Sequence, residues 1–265
     1  MRLAPIASGS SGNCIYVGNS NTHIIIDAGI SGKRIVEGLN AINVGVKDLN
    51  GILVTHEHSD HISALGIMSR KCHIPIYATK ETIQALHEMK SLGEIDESMY
   101  REIKADQVFC IHDLEINPMH VSHDAANPVA YCFTDGKKKL AIVTDLGCYD
   151  QYTVSRLKEM DVLMIEANHN VNMLQVGSYP YYLKQRILGD LGHLSNEICG
   201  QLINEVLHDG LQEIILGHLS KENNHEEIAY ETVRMEVTMG ENKYKGDDFK
   251  IVVAKRTTNT EVVEI

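Results

Sequence analysis

The chain has 265 residues, 43% hydrophobic and 23% charged, which is ordinary for a globular protein and excludes an intrinsically disordered one. With 24 Lys and Arg against 36 Asp and Glu, the formal charge is −12. A broadly basic surface for nucleic acid is therefore excluded, and only local basic patches remain open.

The first nine residues contain no long apolar run and read as neither a secretory signal nor a membrane span. Residues 14–17 and 23–27 flank the turn cluster Gly18-Asn19-Ser20-Asn21 and read as a hairpin. A buried strand is expected at 51–55, followed by a helix over 62–72 that breaks before Pro75. A short strand at 76–78 and a helix at 80–90 come next. Residues 107–111, 114–118 and 129–134 read as consecutive antiparallel strands. Strands at 140–144 and 162–167 end in polar residues. Helices are predicted over 195–208 and 226–239, and strands at 214–216, 250–254 and 262–265. A meander-rich first half and a β/α second half predict an α/β (α+β) fold of two mixed sheets with outer helices, as one domain over residues 1–265. A hairpin-rich sandwich without outer helices is the competing class. The six cysteines are scattered with no CxxC pair, as expected of reduced thiols in a cytoplasmic protein.

Histidine is the unusual count: 14, against 3 Phe and no Trp. The densest cluster is Thr55-His56-Glu57-His58-Ser59-Asp60-His61, at a strand-to-helix turn. His56 and His58 project the same way if strand geometry continues, so both can hold one ion. Asp60 and His61 lie on the turn and can face a second. Imidazole together with carboxylate suits Zn, Mn or Fe. One loop cannot complete a coordination shell. His123, Asp145 and His218 each follow a short apolar strand, where convergent ligands belong. They complete two sites: His56, His58 and His123 for one ion, and Asp60, His61 and His218 for the other, with Asp145 bridging. His120 competes with His123, but the odd spacing puts the two on opposite faces of a strand.

This pattern, His-x-His-x-Asp-His followed by His, Asp and His at strand ends, resembles the metallo-β-lactamase fold superfamily. Within it the chain resembles the YycJ (WalJ/VicX) family of bacterial nucleases. The closer likeness rests on Ser8-Gly9-Ser10-Ser11-Gly12-Asn13, His123-Asp124-Ala125, Glu166-Ala167-Asn168-His169 and Tyr179-Pro180-Tyr181-Tyr182-Leu183-Lys184, the last leading to Gly192-His193-Leu194-Ser195-Asn196. The resemblance covers nearly the whole chain. It implies an αββα sandwich with two divalent ions at one edge, and it implies that Asp27 supports the metal loop by hydrogen bonding without being a ligand.

Other features have a functional and a bland reading. His193 opens a helix; it is a general acid beside the metals, or a capping-loop residue. His169 reads either way. Ser10, Ser11 and Asn13 belong to a Gly/Ser loop whose backbone can cradle phosphate, or to a plain turn. It has no Walker lysine. Tyr181 can stack on an unpaired base while Lys184 and Arg186 meet phosphate, or the segment packs its tyrosines on the core.

The expected activity is a dinuclear metal phosphodiesterase in which a metal-bridging hydroxide attacks phosphorus in line, with Asp60 and His193 as catalytic groups. DNA as substrate and 5′-to-3′ exonuclease polarity are what the family resemblance implies. The alternatives are a small-molecule phosphodiesterase for cyclic or nucleotide diesters, a thioester hydrolase or lactamase, and a non-catalytic regulator. No membrane partner is expected, and the sequence names no protein partner.

Overall fold

The computed structural model describes residues 1–265. In chain order its elements are β1 (Arg2–Ala7), β2 (Cys14–Gly18), β3 (His23–Ile26), α1 (Gly32–Ala41), β4 (Gly51–Leu53), α2 (Ser59–Ile62), α3 (Leu65–Cys72), β5 (Ile76–Thr79), α4 (Lys80–Glu88), β6 (Tyr100–Ile103), β7 (Phe109–Ile111) and β8 (Leu114–His120). There follow β9 (Val129–Thr134), β10 (Lys139–Val143), α5 (Gln151–Leu157), β11 (Val162–Glu166), α6 (Val171–Val176), α7 (Tyr181–Leu188), α8 (Asn196–Val206), β12 (Glu213–Gly217), α9 (Glu226–Met239), β13 (Lys250–Val253) and β14 (Val263–Glu264). The strands fall into two mixed sheets, so the predicted class holds. Contacts divide the chain into two compact units, each assembled from separated segments.

The first unit comprises Met1–His120, Ala125–Gly136 and Lys255–Ile265. Its seven-stranded sheet runs β14-β1-β2-β3-β4-β5-β6. The predicted hairpin is there: β2 and β3 pair antiparallel, with Gly18 opposite His23. β3, β4, β5 and β6 then run parallel. Tyr16, Ile25 and Ile52 sit in the core with Ile35 and Leu39 of α1. β7, β8 and β9 form the expected antiparallel meander. Strands β1 and β6 and helix α1 are additions to the predicted set.

The helix expected over 62–72 is two helices. In a continuous helix the Ala64 N–H would bond to the carbonyl of Asp60. That carbonyl instead accepts from Asn13 N at 2.8 Å, and Ala64 N donates to Ala28 O at 2.8 Å. The His61 carbonyl is likewise taken, by Ala28 N at 2.7 Å. Tertiary bonds have captured groups that the helix needed, so its first turn separates as α2. The chain passes closest at Gly29, where a Cβ would lie 1.7 Å from the Asp60 carbonyl oxygen. Only glycine lets that backbone approach. α3 ends at His73, whose left-handed φ of 53° closes the last turn with a bond to Ser69 O.

The second unit comprises Val121–Asp124 and Lys137–Ala254. Here β10, β11, β12 and β13 lie side by side in parallel. Val162, Leu163, Met164 and Ile165 are fully buried, as are Ile214, Ile215 and Leu216. Continuous apolar burial is what a parallel strand covered on both faces requires. α5, α6 and α7 are additions to the predicted helices, while α9 runs over the predicted residues.

We expect Gly29→Ala to cost about 1–3 kcal/mol of folding stability through overpacking against Asp60, measured by chemical denaturation.

Candidate metal centre

In the first unit, the carboxyl ends of β3 and β4 carry the functional groups. Asp27 follows β3 with a left-handed φ of 60°, and its N–H still extends the ladder to Leu53 O at 2.8 Å. That strained turn aims its carboxylate at the segment after β4. Oδ1 accepts from Thr55 N at 2.8 Å and Oδ2 from Thr55 Oγ1 at 2.9 Å. Oδ2 also receives the His61 Nδ1 proton at 2.7 Å. Fully buried, Asp27 is pushed up by desolvation, against the opposing pull of His61 and Thr55.

The His61 proton is thus held on Nδ1, and its Nε2 lone pair is left to accept. Asn13 Nδ2 donates to it at 3.1 Å and Asp60 Oδ2 lies 3.5 Å away. His56 rests its Nδ1 against Thr55 Oγ1 at 3.0 Å. Its ring centroid lies 4.6 Å from that of His58 and 4.1 Å from that of His61. His56, His58, Asp60 and His61 therefore lie in one cluster. The motif is locally organised because α2 starts directly after His58, whose φ of −62° and ψ of 146° are extended.

In the second unit the groups stand at the carboxyl ends of adjacent parallel strands, where open α/β sheets place their ligands. The register sets Val143 beside Ile165 and Glu166 beside Gly217. Asp145, Glu166 and His218 are thus brought to one end of the sheet. Asp145 and His218 both leave their strands in the left-handed region, at φ 59° and 54°. Ligand atoms of Asp145, Glu166, His193 and His218 lie within 4.8 Å of one another.

Glu166 organises this group. Oε1 receives His218 Nδ1 at 2.7 Å and His193 Nδ1 at 2.8 Å. Oε2 accepts Leu146 N at 3.0 Å and Leu194 N at 3.1 Å. Burial opposes its ionisation, but His193 and His218 outweigh that and hold the carboxyl well below the usual range. Four bonds fill its oxygens, so Glu166 supports the histidines. The sequence gives it no assigned role; its signals are a carboxylate ending an apolar strand and its place in the Glu166-Ala167-Asn168-His169 segment. Asp145 Oδ1 lies 3.5 Å from His218 Nδ1 and 3.7 Å from His123 Nε2. His123 donates Nδ1 to Gly192 O at 3.0 Å and is buried, whereas His120 ends β8 exposed. His61, His123 and His218 share one device: Nδ1 meets a protein oxygen, which leaves Nε2 as the acceptor, met at His61 by Asn13 Nδ2. That is how metal-binding histidines are prepared, so the donor set fits divalent ions.

The other expected site residues divide. Ser10 and Ser11 are exposed. Tyr181 is 77% exposed on α7, not packed in the core. Three side chains are engaged within the chain. Asn13 is buried, accepting from Gly9 N at 2.9 Å while it donates to His61. Lys184 Nζ donates to the carbonyls of Gln175 and Gly177 at 2.8 and 2.7 Å, closing the end of α6. Arg186 grips Asp124 with both Nε and Nη2. His169 is buried with both ring nitrogens lacking a hydrogen-bond partner, and burial pushes its imidazole down to about 4. No helix is long and apolar enough to cross a membrane.

Residues 22–211 match the family model of the beta-lactamase superfamily domain. The chain is 40% identical over 260 residues to the exodeoxyribonuclease WalJ of Streptococcus pneumoniae, covering 98% of this chain and 96% of that one. It is 38% identical over 229 residues, 86% of each chain, to the exodeoxyribonuclease YycJ of Bacillus anthracis. It superimposes on the metallo-beta-lactamase fold protein YhfI of Bacillus subtilis with a TM-score of 0.72 over 98% of both chains, at 15% identity. With Zn(2+)-bound PqqB of Methylobacterium extorquens the TM-score is 0.73 at 13% identity, over 98% of this chain and 100% of that one. Such low identities establish the fold alone.

Two outcomes follow from this geometry. Glu166→Gln should weaken divalent-metal affinity by about 10- to 100-fold, read by competition with a chromophoric chelator. The unfolded chain binds a proton at His169 that the folded chain refuses, so stability should fall as pH drops from 6.5 towards 4. Denaturation midpoints of His169→Asn should be less pH-dependent over that window.

Proposed function

Because this chain belongs to the β-lactamase superfamily, in the family of the WalJ and YycJ exodeoxyribonucleases, we propose that it is a dinuclear metal-dependent exonuclease of DNA working from 5′ to 3′. That it is a metal-dependent hydrolase follows from the family itself. The observation that carries the reading is 40% identity to a protein named exodeoxyribonuclease along 98% of the chain.

His56, His58, Asp60 and His61 of the first unit and His123, Asp145 and His218 of the second are the residues that would hold the ions. Zn, Mn or Fe would suit these donors. Ions bound there supply Lewis-acid activation of water and neutralise phosphoryl charge. The chain's own contribution begins with orientation. Asp27, Gly192 O and Glu166 fix the rings of His61, His123 and His218 before any substrate arrives. Preorganised rings need no rearrangement during the reaction. His193 stands apart, because its Nδ1 is bound to Glu166 while its ring remains partly exposed. As the imidazolium, with Nδ1–H on the ionised Glu166, it would hand its Nε2 proton to the leaving oxygen and become the neutral ring. Asp60, on the partly exposed turn, orients the attacking water. Ser10 and Ser11 offer hydroxyls to phosphate, and the exposed Tyr181 ring offers a face to an unpaired base. With a net charge of −12, long-range attraction to a polyanion is absent, so binding depends on these local contacts.

With added Mn²⁺, the protein should hydrolyse bis(p-nitrophenyl) phosphate and shorten a 5′-labelled duplex from the labelled end. His58→Ala should abolish both. His193→Ala should lower kcat by about 10²- to 10⁴-fold with metal content unchanged. Cleavage of cyclic diesters without DNA would move the substrate to small molecules. Action on acyl thioesters alone would overturn the phosphodiesterase reading.

A further inference from the structure

Arg186 reads from the sequence as a phosphate contact, yet its guanidinium grips Asp124. Nη2 donates to Oδ1 at 2.8 Å while Nε donates to Oδ2. This is the two-pronged geometry that fixes a carboxylate in direction as well as place. Asp124 immediately follows His123, and its Oδ1 lies 3.5 Å from His123 Nε2, the nitrogen presented to an ion.

The surrounding bonds belong to the same lock. Three residues of the segment Val121–Asp124 are tied to the chain following α7. Ser122 Oγ donates to Asp190 O at 2.9 Å, His123 Nδ1 to Gly192 O at 3.0 Å, and Asp124 N to Leu191 O at 3.2 Å. Gly147 N holds Ser122 O at 2.7 Å. Most of these are single bonds to main-chain carbonyls. The Arg186 fork is an ionic tie, and it acts on the residue adjoining His123. The fork occupies Nε and one Nη2 donor of Arg186.

We propose that Arg186 and Asp124 are positioning residues: Arg186 holds the Asp124 carboxylate so that His123 Nε2 is correctly placed for a divalent ion. The pair works through His123 and does not touch substrate. This inference rests on the reading of His123 as a ligand. Because both partners are partly exposed, with 46% and 29% of the side-chain area accessible, the pair adds little to global stability, and its effect falls on local geometry.

The test is metal affinity, measured on the full chain stripped by chelator and titrated with Mn²⁺ or Zn²⁺ in a calorimeter. His123→Ala should lose the tight binding of one ion. Arg186→Ala should weaken that same ion by about 10-fold with unchanged stoichiometry, and Arg186→Lys, which keeps the charge but not the fork, should not restore it. Asp124→Asn should give the same loss, and the double variant should lose no more than either single one. Should Arg186→Ala not fold, Arg186→Gln takes its place in the cycle. Wild-type metal affinity in the Arg186 variants, with a raised KM for DNA, would make Arg186 a substrate contact and overturn the proposal. Wild-type affinity in His123→Ala would instead overturn the ligand assignment beneath it.

Discussion

A neutral imidazole carries one proton and one lone pair, and an ion can use the lone pair only where the proton is held elsewhere. The clusters of both units are built around that constraint. Asp27 takes the Nδ1 proton of His61, the Gly192 carbonyl that of His123, and Glu166 that of His218. Each acceptor is held by the main chain, at a strand end for Asp27 and Glu166 and in the chain following α7 for Gly192, so each ring's direction is set by its acceptor. The left-handed turns at Asp27, Asp145 and His218 belong to the same logic. A residue leaving a strand in the ordinary extended direction would carry its side chain past the end of the sheet, whereas a positive φ turns it across that end, at a cost of order 1–3 kcal/mol.

The two buried carboxylates that organise these rings stand in different electrostatic balance. Glu166 has two histidines on one oxygen and two main-chain N–H groups on the other, and its ionised form is favoured despite complete burial. Asp27 has one histidine and Thr55, and for it desolvation prevails. The difference follows from the number of donors that meet the charge, since an uncompensated buried carboxylate is strongly disfavoured. It also separates the chemistry of the two histidines that share Glu166. His218 is buried and oriented, while His193 keeps partial access to solvent and can exchange a proton.

Several elements were legible in the residues alone. The run from Thr55 to His61 encodes a strand end, a turn and a helix start, and its four ligand-type side chains do cluster. The hairpin of β2 and β3, the meander from β7 to β9 and helix α9 follow from turn residues and periodicity. His123 was preferable to His120 on strand alternation together with the His-Asp-Ala likeness, and it is the buried one. What periodicity missed has identifiable causes. β1 contains Pro5, and β6 is largely exposed, so neither shows a clean apolar signal. The helix after the metal motif divides because loop residues at 13 and 28 compete for its carbonyls.

Composition and local spacing by themselves determined which chemistry is available: imidazole and carboxylate at strand ends, on an acidic chain. They could do so because a ligand type and its position on a strand or turn are properties of neighbouring residues. Tertiary structure alone decided how each polar side chain is used. Glu166 became the support of two histidines, Lys184 the cap of α6, Asn13 a partner of His61, and Arg186 the clasp on Asp124. Those roles depend on groups between 7 and 62 positions apart. A hydrogen bond is made with whatever the register of strands and the path of loops bring within about 3 Å, and no local pattern carries that information.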